Sequence, residues 1–200
     1  MFTGIIESSA KVLEVITSGT NKSFWLQSTI SDQFKVDQSV SHDGVCLTVE
    51  AIAEDRHRVT AILETLEKSN LSKWEAGTIV NIERCLQMNG RLDGHFVQGH
   101  VDTTGILQEI KEMDGSWQLT FSYPKAFAHL MIEKGSISMN GISLTIFNVT
   151  EITFSVAIIP YTFNHTNVRN MRTGDTVNLE FDVVGKYIAR SLDLGRGLKA

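Results

Sequence analysis

The residues best suited to chemistry in this 200-residue chain come in repeated pairs. Cys46 lies in the alternating run Val45-Cys-Leu-Thr-Val49, and Ser143 lies in the matching run Ile142-Ser-Leu-Thr-Ile146. Residues two apart in a strand share a face, so Cys46 sits beside Thr48 and Ser143 beside Thr145. A thiol or hydroxyl can hydrogen-bond to a ligand or act as a nucleophile. The competing reading of Cys46 is a small buried hydrophobe. Repetition of the polar pair favours recognition of a ligand in the mouth of a barrel, since a core strand would more simply use valine. His100 adds an imidazole, the side chain most easily tuned for proton transfer near neutral pH. The alternative is a hydrogen-bonded structural histidine. The aligned residue in the first half is Ile5, and the glycines ahead of the two, Gly4 and Gly99, point to close approach of backbone to another group. Thr65 and Thr162 repeat a hydroxyl that serves as a helix cap or a ligand contact. His95 and His100, five apart, fall on opposite faces of a strand and are poorly placed to share a metal, so no metal site is expected. His42, His57, His129 and His165 have no clustered context and read as surface or packing residues.

The elements that position these groups follow from an internal repeat. Ser39-Val-Ser-His-Asp-Gly-Val-Cys-Leu-Thr-Val49 aligns with Ser136-Ile-Ser-Met-Asn-Gly-Ile-Ser-Leu-Thr-Ile146 at a shift of 97, with five of eleven positions identical. The same shift brings Thr65 onto Thr162, Asn70 onto Asn167, and Val80-Asn-Ile-Glu83 onto Val177-Asn-Leu-Glu180. Gly4-Ile-Ile-Glu-Ser-Ser9 matches Gly99-His-Val-Asp-Thr-Thr104 at a shift of 95. A period this long signals a duplicated domain. Short stretches rich in Val, Ile and Thr (4–15, 23–28, 40–52, 58–63 and 78–84) read as strands, with Asp43-Gly44 and Asn140-Gly141 as hairpin or bulge chemistry. Short helices are expected at 66–74 and between Pro124 and Gly135. Roughly six strands per half suggest a small closed barrel, because closure removes exposed edges. After Glu180 the repeat breaks, and Val184, Tyr187, Ile188 and Leu192 form one helical stripe that must be buried on its own chain or on neighbouring subunits.

Composition narrows the rest. Eighteen Lys+Arg against 23 Asp+Glu leave a net charge of −5, which argues against a broad basic surface for nucleic acid or anionic lipid. No apolar run reaches the roughly 18–20 residues of a membrane helix, and Met1-Phe-Thr-Gly-Ile-Ile-Glu7 has no basic start or apolar run of a secretory leader. A cytoplasmic protein with reduced Cys46 and Cys85 is therefore expected, with no nucleic-acid or membrane partner.

These residues resemble the riboflavin synthase family of lumazine-binding repeat proteins. The likeness rests on Met1-Phe-Thr-Gly-Ile-Ile-Glu7, Gly44-Val-Cys-Leu-Thr-Val49, Leu92-Asp-Gly-His-Phe-Val-Gln-Gly-His-Val-Asp102, Gly141-Ile-Ser-Leu-Thr-Ile146 and Val177-Asn-Leu-Glu180, in order along nearly the whole chain. It implies a mainly β protein of two homologous six-stranded Greek-key β-barrels plus a C-terminal α-helix, divided as 1–93, 94–184 and 185–200. It implies a cofactor-independent transferase acting on two molecules of 6,7-dimethyl-8-ribityllumazine, one per barrel, in a homotrimer assembled by the terminal helix, with the working site between barrels of neighbouring subunits. A doubled barrel suits two identical substrates, and orientation then supplies much of the rate. Carried over by position, the first-barrel contacts are Gly4, Ile5, Ile6, Cys46, Leu47, Thr48, Thr60, Ala61, Ile62, Leu63, Glu64 and Thr65. The second-barrel contacts are Gly99, His100, Val101, Lys134, Ser143, Leu144, Thr145, Ile159, Pro160, Tyr161, Thr162, Phe163 and Asn164. His100 is the candidate for proton transfer, Cys46 or Ser41 for adding to or polarising a ring, and Asp182 for assistance. Tyr161 stands where many members carry Glu.

Overall fold

The computed structural model describes residues 1–197, and among them the chain forms twelve strands and three α-helices. The first half contains β1 (Ser8–Ser18), β2 (Asn21–Gln27), β3 (Ser39–His42), β4 (Val45–Ala53), β5 (Arg56–Ala61), α1 (Leu63–Lys68) and β6 (Ile79–Arg84). The second contains β7 (Thr103–Met113), β8 (Ser116–Ser122), β9 (Ser136–Met139), β10 (Ile142–Phe147), β11 (Thr153–Ile158), α2 (Pro160–His165) and β12 (Thr176–Phe181). Each set closes into an antiparallel barrel, in the order β1-β2-β5-β4-β3-β6 and its repeat β7-β8-β11-β10-β9-β12. The long strand expected at 40–52 is two strands, because Asp43 (φ 48°) and Gly44 (φ 79°) make a tight turn of the kind that matches strand twist. Asn140 (φ 46°) and Gly141 (φ 80°) repeat it. The helix expected at 66–74 starts earlier as α1 and ends in a 3-10 turn at Asn70–Lys73, and the one expected after Pro124 is a 3-10 turn at Lys125–Leu130.

Strand alternation decides what fills the barrels. On β3 and β4, Val40, Val45, Leu47 and Val49 point inward to meet Phe24, Leu26, Val59 and Ile82. In the second barrel Ile137, Met139, Ile142 and Ile146 meet Phe121, Phe154 and Phe181. Both interiors are packed, so the expectation of a ligand in the barrel mouth is corrected: Cys46, Thr48, Ser143 and Thr145 lie on the outer walls. Of the two readings open for His42 and His57, surface or packing, the fold selects packing. Both rings are fully buried, joined Nε2 to Nε2 at 2.9 Å, with His57 Nδ1 on Ser31 Oγ at 2.7 Å. Their counterparts Met139 and Phe154 are apolar, so the pair is peculiar to the first barrel. Burial pulls the His57 ring down to about 4 and the His42 ring well below its ordinary value, which keeps both neutral.

The two barrels meet through their β-turns. Asn81 Nδ2 donates to Asn140 O (3.0 Å), and Asn178 Nδ2 donates to Asp43 O (2.9 Å). Asp43 Oδ1 accepts from Asn81 N (2.7 Å) and Asn167 Nδ2 (2.9 Å), while Asn140 Oδ1 accepts from Asn178 N (2.7 Å). The repeated Val-Asn-x-Glu blocks thus place one asparagine per half in a reciprocal lock. Beyond the second barrel runs α3 (Val183–Gly197), whose Val184, Tyr187, Ile188 and Leu192 are 55–72% exposed and unburied within the chain. Of the helix and tail expected at 185–200, residues 198–200 lie outside the described residues.

Candidate functional site

β4 and β10 are splayed where they carry their thiol and hydroxyl. β4 joins β5 from Val49 onward and β10 joins β11 from Ile146 onward, leaving the N–H groups of Cys46 and Ser143 in need of acceptors. The segments preceding β1 and β7 supply them, and they do so crosswise. Cys46 N donates to Gly99 O, and Ser143 N donates to Gly4 O, both at 2.8 Å. The two arms also pair with each other, Phe2 N to Val97 O (2.7 Å) and Val97 N to Phe2 O (3.1 Å). Val101 packs against the first core and Ile6 against the second. Each arm therefore crosses onto the other half's barrel. Gly4 and Ile6, assigned to the first barrel, thus lie against the second, and Gly99, His100 and Val101, assigned to the second, lie against the first, an exchange that repeat alignment cannot detect.

A buried carboxylate tethers each arm at its root. Glu83 Oε1 and Oε2 accept from Thr3 N (2.6 Å), Thr3 Oγ1 (2.7 Å) and Gly4 N (3.0 Å). Glu180 accepts from Gln98 N (2.6 Å), Gly99 N (2.9 Å) and His100 N (2.9 Å). Burial raises both carboxyls above the ordinary carboxylate range, and the donated hydrogen bonds hold the rise in check. In the sequence Glu83 and Glu180 stand out only as equivalent positions of a repeat.

The exchange brings together two groups that the sequence had put in different halves. A cavity of about 210 Å³ is lined by Cys46, Glu64, Thr65 and Lys68 of the first half and by Gly99, His100 and Val101 of the second. The one thiol on this wall and the exposed imidazole of His100 thus share a site. Burial pushes the Cys46 thiol up, so at neutral pH it is an S–H donor rather than a thiolate. On the second barrel a cavity of about 460 Å³ is lined by Lys134, Ser143, Leu144, Thr145, Ile159 and Thr162, with Phe147 and Ala157. His95, from the arm that carries His100, reaches this wall: its Nδ1 lies 2.6 Å from Ser143 Oγ. Burial lowers the His95 pKa, partly opposed by the charge of Asp182. Asp182 Oδ1 also accepts Val184 N (2.9 Å) at the head of α3.

Other candidates lie elsewhere. The side chains of Leu47 and Ala61 are in the first core, while Thr48, Ile62 and Leu63 are exposed outside the smaller cavity. Thr60 Oγ1 pairs with Ser23 Oγ (2.7 Å) and Glu50 Oε2 (3.0 Å). Ser41 is buried beside Cys46 in register, facing the Gly141 backbone of the other half. Pro160 opens α2, Tyr161 stacks on His165, Phe163 stacks on Trp117, and the carbonyl of Asn164 accepts from Arg169. Ile5 lines a larger cleft of about 700 Å³ with Glu7, Arg84, Cys85 and Arg91. That cleft has neither of the repeated hydroxyl walls, and its Arg84 and Glu7 already satisfy each other at 2.6 Å. The smaller cavities are therefore the better candidates. Among the described residues no group of three or more His, Cys, Asp or Glu is placed to hold a metal ion.

The model of the lumazine binding domain matches the chain twice, at residues 3–85 and 98–182. Riboflavin synthase of Actinobacillus pleuropneumoniae is 37% identical over 194 residues, 96% of this chain and 90% of that protein. Riboflavin synthase of Bacillus subtilis strain 168 is 34% identical over 193 residues, with 96% and 90% covered. The crystal structure of LumP complexed with 6,7-dimethyl-8-(1'-D-ribityl) lumazine has a TM-score of 0.82 at 19% identity, over 90% of this chain and 98% of that one, and so shares the double-barrel fold. A domain model matched by both halves, and relatives sharing a third or more of their residues over nearly the full length, lead to one conclusion: the chain belongs to the riboflavin synthase family.

Proposed function

We propose that the protein converts two molecules of 6,7-dimethyl-8-ribityllumazine into riboflavin and 5-amino-6-(D-ribitylamino)uracil, moving a four-carbon unit from one ring to the other in the last step of riboflavin biosynthesis. The repeated wall carries this reading: two cavities that share the equivalent pairs Cys46/Ser143 and Thr65/Thr162, with Cys46 and Ser143 each held through its N–H by an arm from the other half. Two copies of one binding wall suit two copies of one substrate, and holding both rings in a fixed relation supplies rate that an unassisted encounter lacks. In the reaction the 7-methyl group of one lumazine gives up a proton and the resulting carbanion attacks the other ring. His100, exposed at the Cys46 cavity, is the group proposed to move a proton there, with the Cys46 S–H polarising the bound ring. The difference between Cys46 with His100 on one wall and Ser143 with His95 on the other gives identical substrates unlike surroundings.

The test is direct. Purified protein incubated with 6,7-dimethyl-8-ribityllumazine and no added cofactor is expected to form one riboflavin for every two lumazines consumed, followed by absorbance. Binding without turnover would remove the enzymatic reading and leave a lumazine carrier. His100→Gln and Cys46→Ser should each slow turnover by about tenfold or more while changing lumazine affinity little. Near-full activity of His100→Gln would show that another group moves the proton.

The apolar stripe of α3 supports assembly into a homotrimer, with the working site formed between the first barrel of one subunit and the second barrel of its neighbour. A stripe this exposed stays in water unless a neighbour covers it. Tyr187→Glu together with Ile188→Glu should give monomers by light scattering, with turnover lost and lumazine binding to single barrels retained. A trimer that survives both charges would refute the role of this helix. Two free cysteines, and the absence among the described residues of any helix long and apolar enough to cross a membrane, fit the proposed cytoplasmic location.

A further inference from the structure

We propose that Ser31, His57 and His42 form an acid-sensitive latch that holds the first barrel shut and that the second barrel lacks. The three side chains make one chain of hydrogen bonds, and each residue is 0% exposed. Its direction is fixed from one end. His42 Nδ1 lies 3.0 Å from Val40 O, and a carbonyl only accepts, so that nitrogen carries the hydrogen of the ring. His42 Nε2 is then an acceptor and takes the hydrogen bond from His57 Nε2 at 2.9 Å. His57 Nδ1, left without a hydrogen, accepts from the Ser31 hydroxyl at 2.7 Å. Phe34 packs edge to face on the His57 ring, with centroids 4.9 Å apart. The chain ties the 3-10 turn at Ser31–Gln33 to β5 and β5 to β3, where His42 stands in register with Val45 of β4. The equivalent residues of the second half, Ala128, Phe154 and Met139, belong to its apolar core.

The chain is intact only while both rings are neutral. A proton added to either ring requires Ser31 to turn from donor to acceptor, and it leaves a buried positive charge. A second proton sets two N–H groups head-on across 2.9 Å. The charged groups on the surrounding elements are engaged elsewhere or face water. Asp43, next in the chain to His42, turns its carboxyl to Asn81 and Asn167. On β6, Glu83 holds Thr3 and Gly4, and Arg84 pairs with Glu7. On β2, Lys22 donates to Ser72 O, and Gln27 donates to Asp55 of the turn before β5. Arg58 of β5 pairs with Glu50 of β4, and Asp32, Glu54 and Arg56 are exposed. Burial therefore sets the balance, and it lowers both rings, His57 from 6.5 to about 4. Rings freed by opening return to their ordinary value and take up protons that the closed barrel refuses. The latch is complete above about 6.5 and is lost as the pH falls toward 4. Opening frees the β3–β4 hairpin, whose outer wall carries Cys46. Among the described residues the core of the second barrel contains no histidine, so that barrel stays closed.

The experiment is amide hydrogen–deuterium exchange read peptide by peptide at pH 7.5 and pH 5.0 and corrected for the intrinsic rate. Asp43 acts in the opposite sense, because its neutral carboxyl favours the closed state at low pH, while Glu83 is matched by Glu180 in the other barrel. The measurement is therefore made on the full-length protein carrying Asp43→Asn. Between the two pH values the opening of β3, β4 and β5 should rise by about tenfold or more relative to that of β9, β10 and β11. Equal responses of the two barrels would overturn the proposal. Adding His42→Met and His57→Phe, the residues of the second barrel, should abolish the difference between the barrels. An acid response that survives both replacements would also overturn it. Should those replacements prevent folding, the imidazole nitrogens are followed by 15N NMR in the Asp43→Asn protein. Both rings should stay neutral for as long as β3–β5 is protected, with the hydrogen on Nδ1 of His42 and on Nε2 of His57. Rings that charge near pH 6.5 inside a barrel still protected from exchange would show that no latch is released.

Discussion

Replacing Gly99 by alanine is expected to cost the protein more than a hundredfold in turnover while leaving the second-barrel wall able to bind ligand. A Cβ on Gly99 would lie 2.6 Å from Cys46 Cβ, 2.8 Å from a ring carbon of Phe2 and 3.0 Å from Cys46 N. Two of these neighbours are held by the barrel wall itself, so the arm must give way. The residue also sits at φ +82°, a conformation that costs an L side chain about 1–2 kcal/mol. Displacing the arm breaks the bond from Cys46 N to Gly99 O and loosens the three N–H groups gathered on Glu180, including that of His100. A shift of about 1 Å in a reacting group can cost on the order of 100-fold in rate. Gly4→Ala is the mirror experiment, since its Cβ would meet Ser143 Cβ at 2.5 Å, and it should damage the second wall and spare the first. Gly77→Ala is the control: its φ is +100°, yet nothing lies within 4 Å, so the backbone strain appears in stability and not in turnover. Lumazine titrations followed by fluorescence separate the two walls. If Gly99→Ala disturbed the Ser143 wall and left the Cys46 wall intact, the crossed arrangement of the arms would be wrong.

That crossing marks the limit of what the sequence carries. Duplication was legible because strands with one buried face alternate, and both copies keep the same alternation around Asp43-Gly44 and Asn140-Gly141. The cavity walls were legible in part, since Cys46, Ser143, Thr65 and Thr162 are polar where packing alone would favour an apolar side chain. Which barrel an arm serves was not legible. Gly4 and Gly99 occupy equivalent positions, and two copies satisfy the same set of contacts whether each arm folds onto its own barrel or onto its twin. The side of the wall was also lost, because alternation defines two faces without naming the inner one. Here the larger apolar set Val45, Leu47 and Val49 takes the interior and leaves Cys46 outside. A signal was available for the tethers, as a glutamate repeated after Val-Asn-x at the end of a strand is poorly explained by a solvated surface. The inward phase of Val40 and His42 likewise pointed to a buried histidine.

Asp43→Asn is expected to stabilise the protein, by an amount that grows as the pH rises from about 4 to about 8. Asp43 is fully enclosed at the junction of the barrels, and burial drives its carboxyl from 3.8 up to about 8 despite hydrogen bonds from Asn81 and Asn167 that favour the charged form. In the unfolded chain the group ionises near 3.8. Between these values the unfolded state has released a proton that the folded state retains, so stability conferred by the neutral carboxyl is complete below 3.8 and falls with rising pH until the folded group ionises. A difference of this size corresponds to roughly 6 kcal/mol across the window, as an upper figure. Asparagine avoids the loss, because its amide does not titrate and its carbonyl can accept both bonds that Asp43 Oδ1 accepts. The second half already uses Asn140 at the equivalent turn, accepting from Asn178 N, so the backbone there accommodates an amide. Burying the new NH2 group offsets part of the gain. A net gain of about 2–4 kcal/mol at pH 8 would raise the melting temperature by roughly 5–10 °C, with little change near pH 4. Melting curves of the two proteins across this range provide the measurement, and subtraction cancels the titration of His57, Glu83 and Glu180. A difference that does not vary with pH would mean that Asp43 is ionised in the fold, and the lock between the barrels would then contain a buried charge in place of a hydrogen-bonded neutral acid.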